Sequence, residues 1–327
     1  MGKMLVAMAA AAILWQVPAE AAHYITVDVD GVGDTALLAI NAKGQIAGYA
    51  NGSGFFREAD GTIVPFQVTG YANPVPWAIN NRGDMAGSAT YSCGEFDCEV
   101  GFLRLADGTV TTFFASNVPD DSTQVMALNA KGQIAGSYLD PGGSAHGFIR
   151  QRDGKIRTVD VPGAEWTELY ALNDDGYAAG FFRDATATHG LLVAPDGAQT
   201  AFDVPGAQTT LVNGLNDDGT IVGFSIHDGD FQTGYLRSPD GTITTIDGAS
   251  MSQAIAIDRS GNVAGYYQPV NRGFAFLRRP SGEFMTFRPR GSKSTDAHAI
   301  GDHGTVVGSY EEEVDGVGKT YGFIWRP

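Results

Sequence analysis

The chain has 327 residues, a formal net charge of −16 and a pI near 4.6. That balance weighs against a nucleic-acid partner or an anionic membrane surface, since both require clustered Lys and Arg. Beyond the N-terminal segment, no stretch is long and apolar enough to span a membrane.

Residues 1–21 read as a signal peptide. Lys3 gives a short positive start, Met4–Trp15 is apolar, and Ala19-Glu20-Ala21 fits a small-x-small cleavage site. An uncleaved anchor is the alternative. Residues 22–327 are then expected to form a single exported domain, periplasmic or extracellular.

The segment HYITVDVDG (23–31) reads as a strand. It matches KIRTVDVPG (155–163) and QTAFDVPG (199–206), which occur within the repeats that follow.

Seven copies of one pattern fill the remaining chain: AINAKGQIAG (39–48), AINNRGDMAG (78–87), ALNAKGQIAG (127–136), ALNDDGYAAG (171–180), GLNDDGTIVG (214–223), AIDRSGNVAG (256–265) and AIGDHGTVVG (299–308). Their turn positions step by 39, 49, 44, 43, 42 and 43 residues. Such a period suits a four-stranded propeller blade or a helical repeat. The third copy decides between them, because QVMAL, QIAGSY, HGFIRQ and IRTVDV are short, β-branched or aromatic runs separated by turn signals.

Two kinds of turn recur. Asn-x-x-Gly starts as a type I turn, with Gly taking the positive φ. Asp-Gly recurs at 60–61, 107–108, 153–154, 196–197 and 240–241, with Ser281-Gly282 as a variant. It reads as a two-residue type I′ hairpin with φ > 0 at both positions. The seventh copy stops after YGFIWRP (321–327), so the strand at about 23–29 is expected to complete it. The expected fold is all-β: a seven-bladed β-propeller of four-stranded antiparallel blades, its ring closed by that strand.

Runs such as ALNAKGQIAGSY followed by AHGFIRQRDG resemble the HAF repeats of exported bacterial proteins. The third-strand tripeptides here include His146-Gly147-Phe148, His189-Gly190-Leu191 and Tyr321-Gly322-Phe323, and no copy is a complete His-Ala-Phe. The resemblance implies an extracytoplasmic, propeller-like protein and implies no activity.

Cys93 and Cys98 lie in the longest step between copies, and in an oxidising compartment a local disulfide is expected. A two-thiol metal site is the alternative.

Some columns of the repeat recur and others do not. Six residues before the turn marker, six of seven copies carry Thr or Ser, and two before it all are Ala or Gly, as strand entry and tight packing require. Three before it come Leu38, Trp77, Met126, Tyr170, Asn213, Ile255 and His298. Trp77, Tyr170, Asn213 and His298, with Trp166 and His227 on loops above, are candidate walls of an asymmetric pocket on the face of the variable loops. The alternative is packing between blades. Asp28, Asp30 and Asp34, with Glu311, Glu312, Glu313 and Asp315, form an acidic seam that could hold Ca²⁺, although no EF-hand spacing is present and solvated loops are the alternative.

No Gly-x-Ser-x-Gly, His-Glu-x-x-His or phosphate-loop motif is present, so no catalytic residue is assigned. The expected protein is a monomeric ligand-binding or protein-interaction module, its partner an unknown small molecule, glycan or protein. The alternatives are an exported lyase or hydrolase acting on polysaccharide or a related polymer, and a structural envelope or matrix protein.

Overall fold

The computed structural model describes residues 23–29, 31, 33–94, 96–116, 121–229, 231–246, 251–268 and 273–327. The expected signal peptide and Asp30 lie outside these residues.

Each copy of the repeat forms a meander of four short antiparallel strands. In the first unit they are Thr35–Ile40, Ile46–Ala50, Ser53–Arg57 and Ile63–Phe66. The second and sixth units form separate four-stranded sheets in the same order. The third, fourth and fifth share a twelve-stranded sheet, whose three meanders are joined by the single parallel pairs Ala145–Trp166 and Thr188–Thr209. The last unit contains Ser294–Ile300, Val306–Val314 and Val317–Arg326, and its fourth strand is His23–Val27 from the other end of the chain. Tyr24 pairs with Trp325 and Val27 with Gly322. Among the described residues the one helix is a 3-10 turn, Asp302–Gly304.

The Asp-Gly hairpins differ from the two-residue type expected. Gly61 donates to Glu58 O at 3.0 Å, and Glu58 donates to Thr62 O at 2.8 Å. This is a type I turn closed by a bulged Gly at φ 99°, and Asp60 is not among the residues of positive φ. The reason is local. The Asp60 carboxylate accepts the Thr62 N–H at 2.9 Å, and Asp107, Asp153, Asp196 and Asp240 do the same two residues ahead.

A second irregularity repeats in every unit. The first strand carries a β-bulge, between Leu37 and Ala39, Val125 and Ala127, Leu169 and Ala171, Val212 and Gly214, Ala254 and Ala256, and Ala297 and Ala299; the second unit has two. The bulge presses a carbonyl of the first strand onto the Gly that ends the second apolar run. A Cβ on Gly136 would lie 2.0 Å from Gln124 O, and one on Gly180 1.9 Å from Glu168 O. Only Gly fits there.

The core lies between neighbouring units. Leu37, Ile46 and Phe55 of the first pack with Val307 and Ile324 of the last. Ala78 and Ala86 of the second pack with Val125, Ile134 and Phe148 of the third. The last residue of each tripeptide, Phe148 or its equivalents Phe55, Phe102, Leu191, Tyr235, Phe276 and Phe323, is at most 1% exposed. Burying one such side chain contributes about 1.5–3 kcal/mol. Where a chain crosses between units, Thr35, Thr123, Thr167 and Thr210 accept N–H bonds from Val29, Ala115, Val161 and Val204 at 2.9–3.3 Å.

A disulfide joins Cys93 and Cys98, with Cα atoms 5.8 Å apart. The segment is the end of a long hairpin, Met85–Cys93 with Phe96–Arg104.

Candidate binding site

The variable column is the bulge itself. Leu38, Met126, Tyr170, Asn213, Ile255 and His298 each sit at the unpaired position of their first strand, and Trp77 lies within the second unit's irregular stretch. A bulge frees its residue from the ladder and re-aims its side chain. Seven different side chains therefore stand at one level of the repeat.

Their surroundings differ. Trp77 is 42% exposed, an unusual state for a large ring in the middle of a core-forming strand. Trp166, at the start of the fourth unit's first strand, is equally open. Tyr170 is half-buried, stacks on Phe181 at 5.3 Å and donates to Glu168 Oε2 at 3.1 Å. Asn213 donates from Nδ2 to Ala254 O of the next unit at 2.8 Å. His298 makes the equivalent bond across the seam, from Nδ1 to Leu37 O at 2.9 Å. These two side chains tie neighbouring units together, leaving Asn213 Oδ1 and His298 Nε2 as acceptors, the latter 3.4 Å from Ser309 Oγ. His227 is held apart from this level, by Gly206 O at 3.2 Å and Ser225 Oγ at 3.0 Å.

Two residues before the bulge lies a column that the sequence reading passed over: Ala36, Val75, Gln124, Glu168, Leu211, Gln253 and Asp296. Burial raises the pKa of Glu168, with the bond from Tyr170 opposing it. Burial also raises that of Asp296, against the pull of His298. Burial pushes His298 itself down, against the Leu37 carbonyl and Asp296. The signal was available, since this column fails to repeat just as the bulge column does.

The opposite face carries a different structure. Asn41 Nδ2 donates to Asn80 O at 2.9 Å, and Asn80, Asn129, Asn173 and Asn216 each donate likewise to the marker residue of the next unit at 2.9–3.4 Å. The Asn of Asn-x-x-Gly thus closes its own turn and links units, a second role not visible in one copy. The markers and the aliphatic residues before them, Ile40 to Ile300, line a cavity of about 200 Å³ reached from all seven units. Arg259 bridges Asp174 and Asp217 on its rim, at 3.2 and 3.0 Å.

The acidic seam is not gathered around one point. Glu312 pairs in register with Lys319, Asp34 bridges to Thr320, and Glu313 forms an ion pair with Lys293. Asp315 occupies the hairpin end with positive φ. Among the described residues, no three His, Cys, Asp or Glu side chains stand together as metal ligands, Glu311 included. None of the described helices is long and apolar enough to cross a membrane.

These features define a propeller-like all-β protein. No protein-family model matches the sequence, and no curated protein matches it. Among solved structures, the chain is similar to virginiamycin B lyase from Staphylococcus aureus, with a TM-score of 0.63 and 14% identity over 94% of this chain and 99% of that one. A streptogramin B lyase gives 0.61 and 12% identity over 93% of this chain and 98% of its own. Puromycin hydrolase gives 0.61 and 14% identity over 86% of this chain and 50% of its own. At such identities the likeness is one of fold.

Proposed function

We propose that the seven units close into a seven-bladed β-propeller, and that this is an exported protein of the HAF-repeat type that binds a neutral, hydroxyl-rich small molecule or glycan. The site is the bulge level on the side of the variable loops. The observation that carries the reading is Trp77, open to solvent at a position the fold frees from pairing and never repeats. Tyr170 adds a second ring, while Glu168, Asn213 and Asp296 add hydrogen-bonding groups in partly dry surroundings. Rings with a few convergent polar groups suit sugar-like ligands. The disulfide supports an oxidising compartment.

One observation favours an exported lyase or hydrolase instead. Asp296 is pushed toward its protonated form and His298 toward its neutral form, two residues apart on one strand. Such a pair suits proton transfer, and the similar folds include lyases.

The test is a glycan and peptide screen of the wild type against a Trp77→Ala/His298→Ala variant, with product release followed in the same wells. Saturable glycan binding, lost in a variant that melts as the wild type does, supports the site. Product release lost in His298→Ala would establish the enzyme. Absence of any ligand would favour a structural protein.

A further inference from the structure

In five of the seven units the third-strand residue paired with the start of the second strand is arginine: Arg57, Arg104, Arg150, Arg237 and Arg278, with Val193 and Trp325 at that position in the other two. Each donates to the carbonyl of the residue that follows it. Arg104, Arg150 and Arg237 also lie over aromatic rings of the preceding unit. Arg104 stands 5.7 Å from the Phe56 ring centroid and 5.5 Å from that of Phe66, Arg150 4.8 Å from Phe113, and Arg237 4.8 Å from Phe202. The ring fills the slot beneath the guanidinium.

The ring is absent beneath Arg278, where the preceding unit presents Leu236 and Ile246, and again at the seam. By register, the residues of the last unit equivalent to Phe56 and Phe66 are Ile324 and Val27. Neither supplies a ring beneath Arg57. A cavity of about 210 Å³ remains between the last and first units on the turn face, lined by Arg57, Ile324, Arg326, Lys43, His303 and Asp302 among others. Arg57 and Arg326 are close enough to repel: burial first, and then the Arg326 charge, lowers the pKa of Arg57, while Asp60 opposes them. Among the described residues, neither arginine nor Lys43 forms an ion pair with a carboxylate. Three cations thus line a concave site with one acid, Asp302, in a chain of charge −16. Paired guanidiniums suit the planar or tetrahedral faces of oxyanions.

We propose that this seam cavity binds a small solute through an oxyanion group (phosphate, sulfate or carboxylate) held between Arg57 and Arg326. The site lies on the face opposite the glycan site and does not depend on it.

The experiment is a calorimetric and thermal-shift titration with sodium phosphate, sodium sulfate and sodium glucuronate, at ionic strength held constant with sodium chloride. At least one anion should bind saturably and raise Tm above the chloride control. Arg326→Gln, a change at an exposed side chain, should weaken that binding at least tenfold, and Arg57→Gln should do the same. Lys155→Gln, at the exposed end of another unit, should leave it unchanged. Equal responses to phosphate and sulfate would identify a tetrahedral anion, and a response to glucuronate alone a carboxylate. Failure of all three anions, or full affinity retained in Arg326→Gln, would overturn the proposal.

Discussion

Gly136 carries no side chain because the Gln124 carbonyl occupies the place a Cβ would take. Gly136→Ala must push backbone rather than a flexible side-chain tip. It is expected to cost about 1–3 kcal/mol, read as a lower denaturant midpoint with an unchanged slope. A midpoint equal to the wild type's would mean the bulge is not fixed. His146 shows how one residue can be legible by type and not by role. Its place in the tripeptide was plain, but its partners come from two other segments: Asp160 Oδ1 at 2.8 Å and Asp140 Oδ2 at 3.4 Å, with Tyr138 stacked at 5.0 Å. Burial pulls its pKa down, the two aspartates outweigh burial, and the net shift is upward. A folded pKa above the unfolded value of about 6.5 stabilises fully below that pH, and the gain is lost as pH rises through the folded value. The Tm difference between wild type and His146→Gln should therefore shrink from about pH 5.5 to about pH 8.5. A difference that grows over this range would refute the charged clamp.

The turns and strands were largely readable from the sequence because their causes are local. Asn starts a turn, Gly closes it, and alternating apolar runs fill four short strands. The bulges arise from the register between two strands, and their traces, a recurring Gly in the second strand and a column of the first that never repeats, do not reveal a bulge until the two strands are paired. The same holds for the Asn links, which join residues some 40 positions apart in the chain, such as Asn129 and Asn173 (|i−j| of 44). Asn129→Ala removes the link and one acceptor of its own turn. Leaving the Asn173 carbonyl short of that donor should cost about 1–3 kcal/mol, measurable by denaturant unfolding; a loss well under that range would make the link incidental. The Cys93–Cys98 bridge closes a short loop at the end of a hairpin, so its reduction should cost only about 2 kcal/mol. Loss of all cooperative unfolding on reduction would show that the bridge carries more than its hairpin.

At the scale of the whole molecule, the split seventh unit is what the first and last residues of the repeat have in common. His23–Val27 covers the edge of Val317–Arg326, and Val27 is buried with Leu37 and Ile324 in the layer shared by the first and last units. Removing residues 23–29 should expose that edge and unfold the molecule in one step with the rest. Independent melting of the first unit alone would contradict a closed ring. The split also gathers what is not repeated: Gly301, which has no side chain to donate the Asn link, and the Arg57–Arg326 cavity. Those features depend on which unit follows which, so no single copy contains them.

The central claim is that the side chains on the bulges, and not the recurring turns, hold the ligand. It is tested most directly by calorimetric titration of the best glycan from the screen against wild type, Trp77→Ala and the remote control Lys155→Ala. The account predicts at least a tenfold loss of affinity in Trp77→Ala, equal to about 1.4 kcal/mol, with Lys155→Ala unchanged. Equal affinity in all three proteins would contradict it.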